Sequence, residues 1–282
     1  MHAPSRDIAI LVEESRMNQI NQEVQSVINS LKKNHTYDTD QELKDKYHNL
    51  PVLGPFEYNN ATTYLGQYNN GQREGLGRVI WSDGSLYEGE WRTDEFNGQG
   101  RLIHPDGGYF IGSFKDNKIH GYGEYIDPTN ITFKGYWEND QRHGQGKEEF
   151  PDGSFYEGSY AYGAKSGKGN FVWGDKSKYN GEFRNNVIDG YGFYTWADDR
   201  TYEGEWKENN MHGFGKFIWK DGRRYEGHYI MDKKEGYGEF YWSNGKVYKG
   251  QWKNGKQHGK GVLIGPSGDE SSGEWVDGKY QK

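Results

Sequence analysis

The sequence has no cysteine among its 282 residues, which excludes disulfide bonds, thiolate nucleophiles and cysteine-based zinc sites. Hydrophobic residues are also scarce, at 32% of the chain, so a conventional core of leucine, isoleucine and valine is not expected. The longest apolar run near the N-terminus, residues 8–12, is too short for a signal peptide or a membrane span. The formal net charge of −7 provides no electrostatic attraction to nucleic acid or to an acidic membrane.

Aromatic residues and glycine are abundant instead, with 16% aromatic residues and 42 glycines, and they follow a strict period of 23 residues. The clearest copy is Tyr202-Glu203-Gly204-Glu205-Trp206, an aromatic-x-Gly-x-aromatic motif that a Gly-x-Gly follows at a fixed offset. A strict period of this length indicates a repeat array. The nine starting aromatics are Tyr64, Tyr87, Phe110, Phe133, Tyr156, Tyr179, Tyr202, Tyr225 and Tyr248.

Each repeat contains two strand-like segments that are joined by turn signals. Apolar and polar residues alternate with period two, as they do in half-buried strands. The seventh residue after every starting aromatic is Gly, Asn or Asp, which predicts a left-handed backbone there. Asp-Gly or Asn-Gly pairs follow the second segment in several repeats and predict a second tight turn.

The alternation predicts which side chains share a face of the sheet. Tyr202, Gly204 and Trp206 fall on one face of the first strand, so aromatic rings are expected to cover glycines of the neighbouring strand. The fold class is therefore mostly β: an elongated, single-layer antiparallel β-meander of 23-residue hairpin repeats, with an amphipathic α-helix before it. Exposed apolar area on a single-layer sheet is typical of an interface.

The predicted N-terminal helix covers residues 7–33, within an N-terminal region of residues 1–50 that also contains a linker and a short helix at residues 40–47. Its apolar stripe either packs on the protein's own array or binds a partner helix, and the sequence leaves both open. The stripe consists of Met17, Ile20, Val24, Val27, Ile28 and Leu31.

The array is predicted over residues 51–282, as a half-repeat at 52–63, nine full repeats at 64–270 and a partial tenth at 271–282. Three departures are expected to soften the sheet or to mark contact sites. Charged residues 147–149 interrupt the second strand of the fourth repeat, residues 127–130 replace a glycine turn, and Ser271 replaces the tenth starting aromatic.

Over residues 52–282, the pattern Tyr-Glu-Gly-Glu-Trp, His-Gly-Phe-Gly and Asp-Gly closely resembles the MORN repeat (membrane occupation and recognition nexus). Members of this family include junctophilins, plant phosphatidylinositol phosphate kinases, a SET-domain lysine methyltransferase, radial-spoke head proteins of cilia and protist cytoskeletal scaffolds. The enzymes among them mostly carry a separate catalytic domain, which is not expected here. The resemblance therefore implies a non-enzymatic scaffold of the cytoplasm and cytoskeleton, with a ciliary axoneme favoured.

The resemblance implies protein partners from a ciliary or cytoskeletal complex. The exposed aromatic groove is expected to receive a helix or peptide, either from such a partner or from residues 7–33. Two other functions stay open: an anionic-lipid (phosphoinositide) tethering module and a regulatory subunit of an enzyme complex. A homodimer through the last strands also stays open, since a sheet edge can be extended by another copy.

No catalytic, metal or cofactor site is predicted. Gly-x-Gly recurs in phase within strands and opens no helix, so it does not indicate a phosphate cradle. Four histidines precede Gly-x-Gly, but residues one repeat apart are about 10 Å apart, too far for one zinc ion. These histidines are His120, His143, His212 and His258.

Two surfaces remain as candidate binding sites. The first is the aromatic groove, with the most regular repeats contributing Tyr202, Trp206, Trp219, Tyr225 and Trp242, because tyrosine and tryptophan are enriched in interfaces. The second is a basic patch facing an acidic partner or phosphoinositides, made of Lys246, Lys249, Lys253, Lys256 and Lys260, with an ordinary solvated surface as the alternative.

Overall fold

A computed structural model of the protein describes residues 10–11, 41–58 and 61–281. The chain divides into two compact units, residues 1–151 and residues 152–282, which are described in turn. Antiparallel strands that pair with their neighbours in sequence make up most of the described residues of both units. The predicted β-meander of hairpin repeats is therefore confirmed.

The described part of the first unit forms one short helix and ten strands. In the order of the chain these are β1 (Ile10–Leu11), α1 (Gln41–Lys46), β2 (Val52–Glu57), β3 (Thr63–Asn69), β4 (Gln72–Ile80), β5 (Leu86–Arg92), β6 (Glu95–Ile103), β7 (Tyr109–Lys115), β8 (Lys118–Ile126), β9 (Thr132–Glu138) and β10 (Gln141–Glu149). From β2 to β10 each strand pairs antiparallel with the next, and β1 pairs with β2 at the N-terminal edge.

The second unit continues the same pattern with twelve strands. They are β11 (Phe155–Ala161), β12 (Ala164–Val172), β13 (Lys178–Arg184), β14 (Val187–Thr195), β15 (Thr201–Lys207), β16 (Asn210–Ile218), β17 (Arg224–Ile230), β18 (Lys233–Tyr241), β19 (Val247–Lys253), β20 (Lys256–Ile264), β21 (Glu270–Val276) and β22 (Lys279–Gln281). Each pairs antiparallel with the next, with a β-bulge in the full hairpins of every repeat.

The turn inside each hairpin has the predicted left-handed residue. Asp232 has φ 66°, and the other eight residues at this repeat position also have positive φ. The residue before it is left-handed too, including Met231 at φ 46°, so both central residues match the type I′ turn that suits twisted strands. The left-handed conformation of this preceding residue was not predicted, because Met231 is not a residue type that is typical of turns.

Where this turn residue is Asp or Asn, it also ties its hairpin to the preceding one. Asp232 Oδ1 accepts a hydrogen bond from the backbone N–H of Met211 at 2.8 Å, and its own N–H donates to the Met211 carbonyl at 2.9 Å. Asn209 makes the same pair of bonds with Ile188. Asp and Asn at this position therefore adopt the left-handed backbone conformation and also form the contact between repeats.

The N-terminal helix prediction is wrong at Ile10 and Leu11, which form a strand because they pair with Glu57 and Phe56 of β2. Most of the predicted helix lies outside the described residues, including its interface residues Met17, Ile20, Val24, Val27, Ile28 and Leu31. The short helix predicted at residues 40–47 is confirmed as α1.

Aromatic rings lie flat on glycines, as predicted. A Cβ built on Gly215 would lie 2.3 Å from the hydroxyl oxygen of Tyr202, and one on Gly204 would lie 2.7 Å from it. The ring of Tyr202 therefore covers two glycines on adjacent strands. Its hydroxyl donates to the carbonyl of Glu205 at 3.0 Å, beside the bulge. We call this side of the sheet the ring face.

Residues 147–149 do not interrupt the fourth repeat, so that expectation is wrong. Strand β10 continues to Glu149, and Glu148 lies buried on the ring face. Arg142 pairs with Glu148 and lies 4.7 Å from the centre of the Phe133 ring. The arginine compensates for the buried carboxylate, and the strand can therefore continue.

Two other departures keep the local fold. Asn130 has φ 68° at a position that is glycine in six other repeats, so the turn at residues 127–130 keeps its shape. Ser271 lies in strand β21, and Tyr280 from β22 replaces the missing ring: a Cβ on Gly273 would lie 2.2 Å from its ring. The expected softening is not seen at these positions.

Candidate functional site

The predicted aromatic groove is not an open surface. Tyr202 and Tyr225 are fully buried and Trp206 is 7% exposed. Tyr202 meets Trp206 edge to face at 5.0 Å and Tyr229 of the next repeat at 5.4 Å. The rings of adjacent repeats cover one another, so these three residues stabilise the array and are not available to a partner.

Trp219 and Trp242 are only half-buried, at the edge of the ring face beside the second turn of their repeats. Each packs on a phenylalanine, Trp219 on Phe217 at 4.4 Å and Trp242 on Phe240 at 4.6 Å. The structure therefore does not bring the five predicted groove residues together on one accessible surface.

Lys234 lies inside the ring face and not on a basic surface. Its amine is 4.6–5.0 Å from the centres of four rings, those of Trp219, Tyr225, Phe240 and Trp252. Among the residues that the structure describes, no carboxylate forms a salt bridge with it. Burial is the main reason that the pKa of Lys234 falls from 10.5 to about 8, and Arg223 adds to it.

We expect Lys234 to make stability rise with pH. Below pH 8 the amine is charged in the folded and unfolded chains, and its burial cost is fully present. Between pH 8 and 10.5 the folded chain loses the proton first, so the free energy of unfolding should rise by about 1–2 kcal/mol from pH 7 to 9.5. Urea unfolding at both pH values measures this rise, and Lys234→Met should abolish it. An equal rise in the variant would contradict this assignment.

The opposite side of the sheet, which we call the groove face, is open in the second unit. The residue between the two glycines of Gly-x-Gly points there. Tyr191, Phe214 and Tyr237 occupy this position on β14, β16 and β18, and are 53%, 48% and 50% exposed. They form a row of accessible rings at one-repeat intervals, which sequence alignment of the repeats alone could have revealed.

The groove face of the second unit also contains a concave groove of about 750 Å³ near its C-terminal end. Tyr237, Gln251, Lys260 and Glu274 line it, together with the backbone of glycines 250, 261 and 273. The groove combines one aromatic ring with positive and negative side chains. It is suited to a polypeptide segment of mixed polarity.

The five predicted lysines do not form one basic patch. Lys249 and Lys260 line the groove. Lys253 and Lys256 face each other at the hairpin turn, while Lys246 belongs to the turn at the other end of β19.

Carboxylates of adjacent strands also lie among these lysines. Lys249 Nζ forms a salt bridge with Glu239 Oε2 at 3.2 Å, and the hydrogen bond to that carboxylate raises the pKa of Lys249. Glu274 lies directly across from Lys260 in the sheet. The run of lysines was predicted from residues 240–268 alone, and the acids come from strands outside that window.

In the first unit, the chain itself covers part of the groove face. Residues 41–50 lie against Gln67 and Glu90, and both side chains are buried. Strand β5 is consequently buried on both faces, whereas the equivalent β15 alternates buried and exposed residues. The two units therefore differ in how much of the groove face is accessible.

In the part of the chain that the structure describes, no three His, Cys, Asp or Glu side chains cluster as a metal site. Across residues 10–11, 41–58 and 61–281, no helix has the length and apolar composition needed to cross a bilayer.

The chain forms consecutive two-stranded hairpins with a fixed 23-residue period, and the aromatic rings of adjacent repeats pack on one another. These features define a β-hairpin repeat protein. The family model described as MORN repeat matches nine consecutive segments, and the chain belongs to the MORN-repeat family. The matched segments are residues 64–86, 87–109, 110–132, 133–155, 156–178, 179–199, 202–223, 225–247 and 248–270.

No curated protein matches the chain. Among solved structures, the TCP10 domain of Danio rerio CPAP is similar at 14% identity and a TM-score of 0.39, covering 80% of this chain and 100% of that one. The Drosophila melanogaster SAS-4 TCP domain, solved with a proline-rich motif of Ana2, has 12% identity and a TM-score of 0.30, covering 71% and 84%. Similarities this low carry no conclusion about function.

Proposed function

We propose that the protein is a non-catalytic scaffold that binds other proteins through the groove face of residues 152–282. The observation that carries the proposal is the row of exposed rings formed by Tyr191, Phe214 and Tyr237. Accessible aromatic side chains at regular positions are typical of interaction surfaces. The ring face offers no comparable surface, since its tyrosines are buried.

The spacing of these rings suits a helical partner. Rings one repeat apart are separated by two strand spacings, about 10 Å. Seven residues of an α-helix rise by about 10.5 Å, so a helix lying across the strands would present one side chain to each ring. The partner would therefore carry apolar residues at intervals of seven.

A ciliary axoneme or another cytoskeletal assembly in the cytoplasm is the proposed setting. Membership of the MORN-repeat family supports it, because that family includes cytoskeletal scaffolds. A role as regulatory subunit of an enzyme complex would use the same surface and would differ only in the partner. The dispersed lysines and the Lys249–Glu239 salt bridge do not favour the alternative of anionic-lipid binding.

Affinity purification with a paired variant tests this function. Tyr191→Ser combined with Phe214→Ser removes two exposed rings, and we expect it to reduce recovery of specific partners at least tenfold. Tyr162→Asn is the matched control, since Tyr162 is 81% exposed but lies in a hairpin turn with φ 51°. Equal recovery with wild type and both variants would exclude the row of exposed rings as the binding surface.

A further inference from the structure

The contact between residues 41–50 and the first unit shows how the groove face holds a polypeptide segment. Gln67 Nε2 donates to the carbonyls of Tyr47 at 2.8 Å and Leu50 at 3.4 Å. Glu90 Oε2 accepts from Lys46 Nζ at 2.9 Å and from the Tyr47 hydroxyl at 2.8 Å. A helix end leaves carbonyl groups unpaired, and the glutamine provides a donor for them.

Both holding side chains are fixed by the sheet beneath them. Gln67 Oε1 accepts from the backbone N–H of Leu76 at 2.6 Å, and Glu90 Oε1 accepts from that of Gln99 at 2.7 Å. Each side chain therefore uses one oxygen to set its own orientation and its other terminal atom to hold the segment. The side chain of Leu50 lies over Gly75, where a Cβ would come within 2.9 Å of its Cδ1.

The same pair of residue types recurs at the open groove of the second unit. Within the array, a glutamine followed one repeat later by a glutamate occurs at this repeat position as Gln67/Glu90 and again as Gln251/Glu274. Both Gln251 and Glu274 line the groove and are exposed. The residues at the position are Gln67, Glu90, Ser113, Tyr136, Ser159, Glu182, Glu205, His228, Gln251 and Glu274.

No segment of the described residues lies on the second pair. Within residues 41–58 and 61–281, the side chains of Gln251 and Glu274 form no hydrogen bond or salt bridge. Glycines 250, 261 and 273 line the groove beside them and have no side chains that would fill it. The groove thus has the same two residue types at the same repeat positions, one repeat apart on β19 and β21, without the backbone hydrogen bonds that orient Gln67 and Glu90.

We propose that the groove of the second unit binds a segment of another protein that resembles residues 41–50: a helix that ends in Lys-Tyr, with leucine three residues later. Gln251 binds the carbonyls at the helix end, and Glu274 binds the lysine amine and the tyrosine hydroxyl. This inference rests on the proposed function and specifies the partner's chemistry.

One difference between the groove of the second unit and the site that holds residues 41–50 predicts a further feature of the partner's sequence. Lys260 stands at the repeat position of Leu76, and Lys249 at that of Leu65. Lys249 is paired with Glu239, so the charge of Lys260 favours an acidic residue in the partner segment. Residues 41–50 themselves contain Glu42 and Asp45, so a peptide of this sequence is a suitable probe.

The probe is a fluorescein-labelled peptide of residues 41–50 with an amidated C-terminus, titrated with the full chain by fluorescence anisotropy. We expect a Kd on the order of 100 μM, because a short peptide must be ordered on binding. Glu274→Gln and Gln251→Ala should each weaken binding about fivefold or more. Both residues are exposed, so folding should be unaffected, as circular dichroism would verify.

Two matched controls locate the site. Glu205→Gln changes the same repeat position outside the groove and should leave the Kd unchanged. A peptide with Lys46→Glu and Tyr47→Ala should bind at least tenfold more weakly than the original. If Glu90→Gln alone weakens binding, the peptide exchanges with the chain's own segment, and the inference is wrong.

The inference is also overturned if the peptide does not bind at about 1 mM chain, or if it binds equally well to Glu274→Gln and Gln251→Ala. Its failure is separable from that of the proposed function. Suppose that partners are lost with the paired variant of Tyr191 and Phe214 but are retained with Glu274→Gln. This result would support the scaffold function and exclude the Lys-Tyr site.

Discussion

Gly215→Ala should lower the free energy of unfolding by about 3 kcal/mol, although it adds a single methyl group. The added Cβ would lie 2.3–2.5 Å from three atoms of the Tyr202 side chain, a separation that no rotamer change of alanine can relieve. Tyr202 is fully buried between its neighbours, so it has no free volume into which to move. Urea unfolding monitored by circular dichroism measures the loss.

Gly255→Asn is the control for this prediction. Gly255 has φ 80° with no atom within 4 Å of a built Cβ, and Asn117, Asn186 and Asn209 occupy the same repeat position with positive φ. Its stability should stay within about 0.5 kcal/mol of wild type. A cost below 1 kcal/mol for Gly215→Ala would contradict the packing of rings on glycines.

Tyr202→Ala should destabilise the second unit further, by about 4 kcal/mol. The substitution leaves a ring-sized cavity above Gly204 and Gly215 and removes the edge-to-face contacts with Trp206 and Tyr229. Because contacts in a repeat array are local, lost amide protection should centre on the adjacent repeats. Hydrogen exchange read by mass spectrometry would locate it.

The conservative variant separates the ring from its hydroxyl. Tyr202→Phe keeps the ring and loses the hydrogen bond to the Glu205 carbonyl, which should cost about 1 kcal/mol. Phenylalanine already stands at this position as Phe110 and Phe133, both fully buried. Equal destabilisation by Tyr202→Phe and Tyr202→Ala would show that the hydroxyl, and not ring packing, dominates.

The sequence predicts the hairpins well because each turn requires a particular backbone conformation at a single residue. A left-handed backbone at Asp232 or Gly255 needs Asp, Asn or Gly, and those residues can be read directly. Met231 adopts a left-handed conformation because the strands on either side impose it, which no property of methionine indicates. Likewise, Tyr280 replaces a ring only because β22 folds back over Gly273.

The candidate site was harder to predict, because exposure depends on contacts between repeats. Trp206 was expected to be accessible, yet it packs on Tyr179 of the preceding repeat at 5.7 Å. Alternation alone assigns the ring to a face and does not show that neighbouring rings close that face. The accessible rings, such as Phe214, lie between the two glycines of Gly-x-Gly, a position to which the sequence analysis assigned no role.

The side-chain bond from the Asp and Asn turns to the preceding hairpin also limits how such a chain can change length. One residue added within β16, after Met211, would exchange the two faces in the rest of that strand and shift Asp232 relative to Met211. Gain or loss of a whole 23-residue repeat preserves the faces of the strands and the contact between each turn and the preceding hairpin. Genetic variation in this family should therefore proceed by duplication or deletion of complete repeats, which moves binding positions along the sheet in steps of two strands.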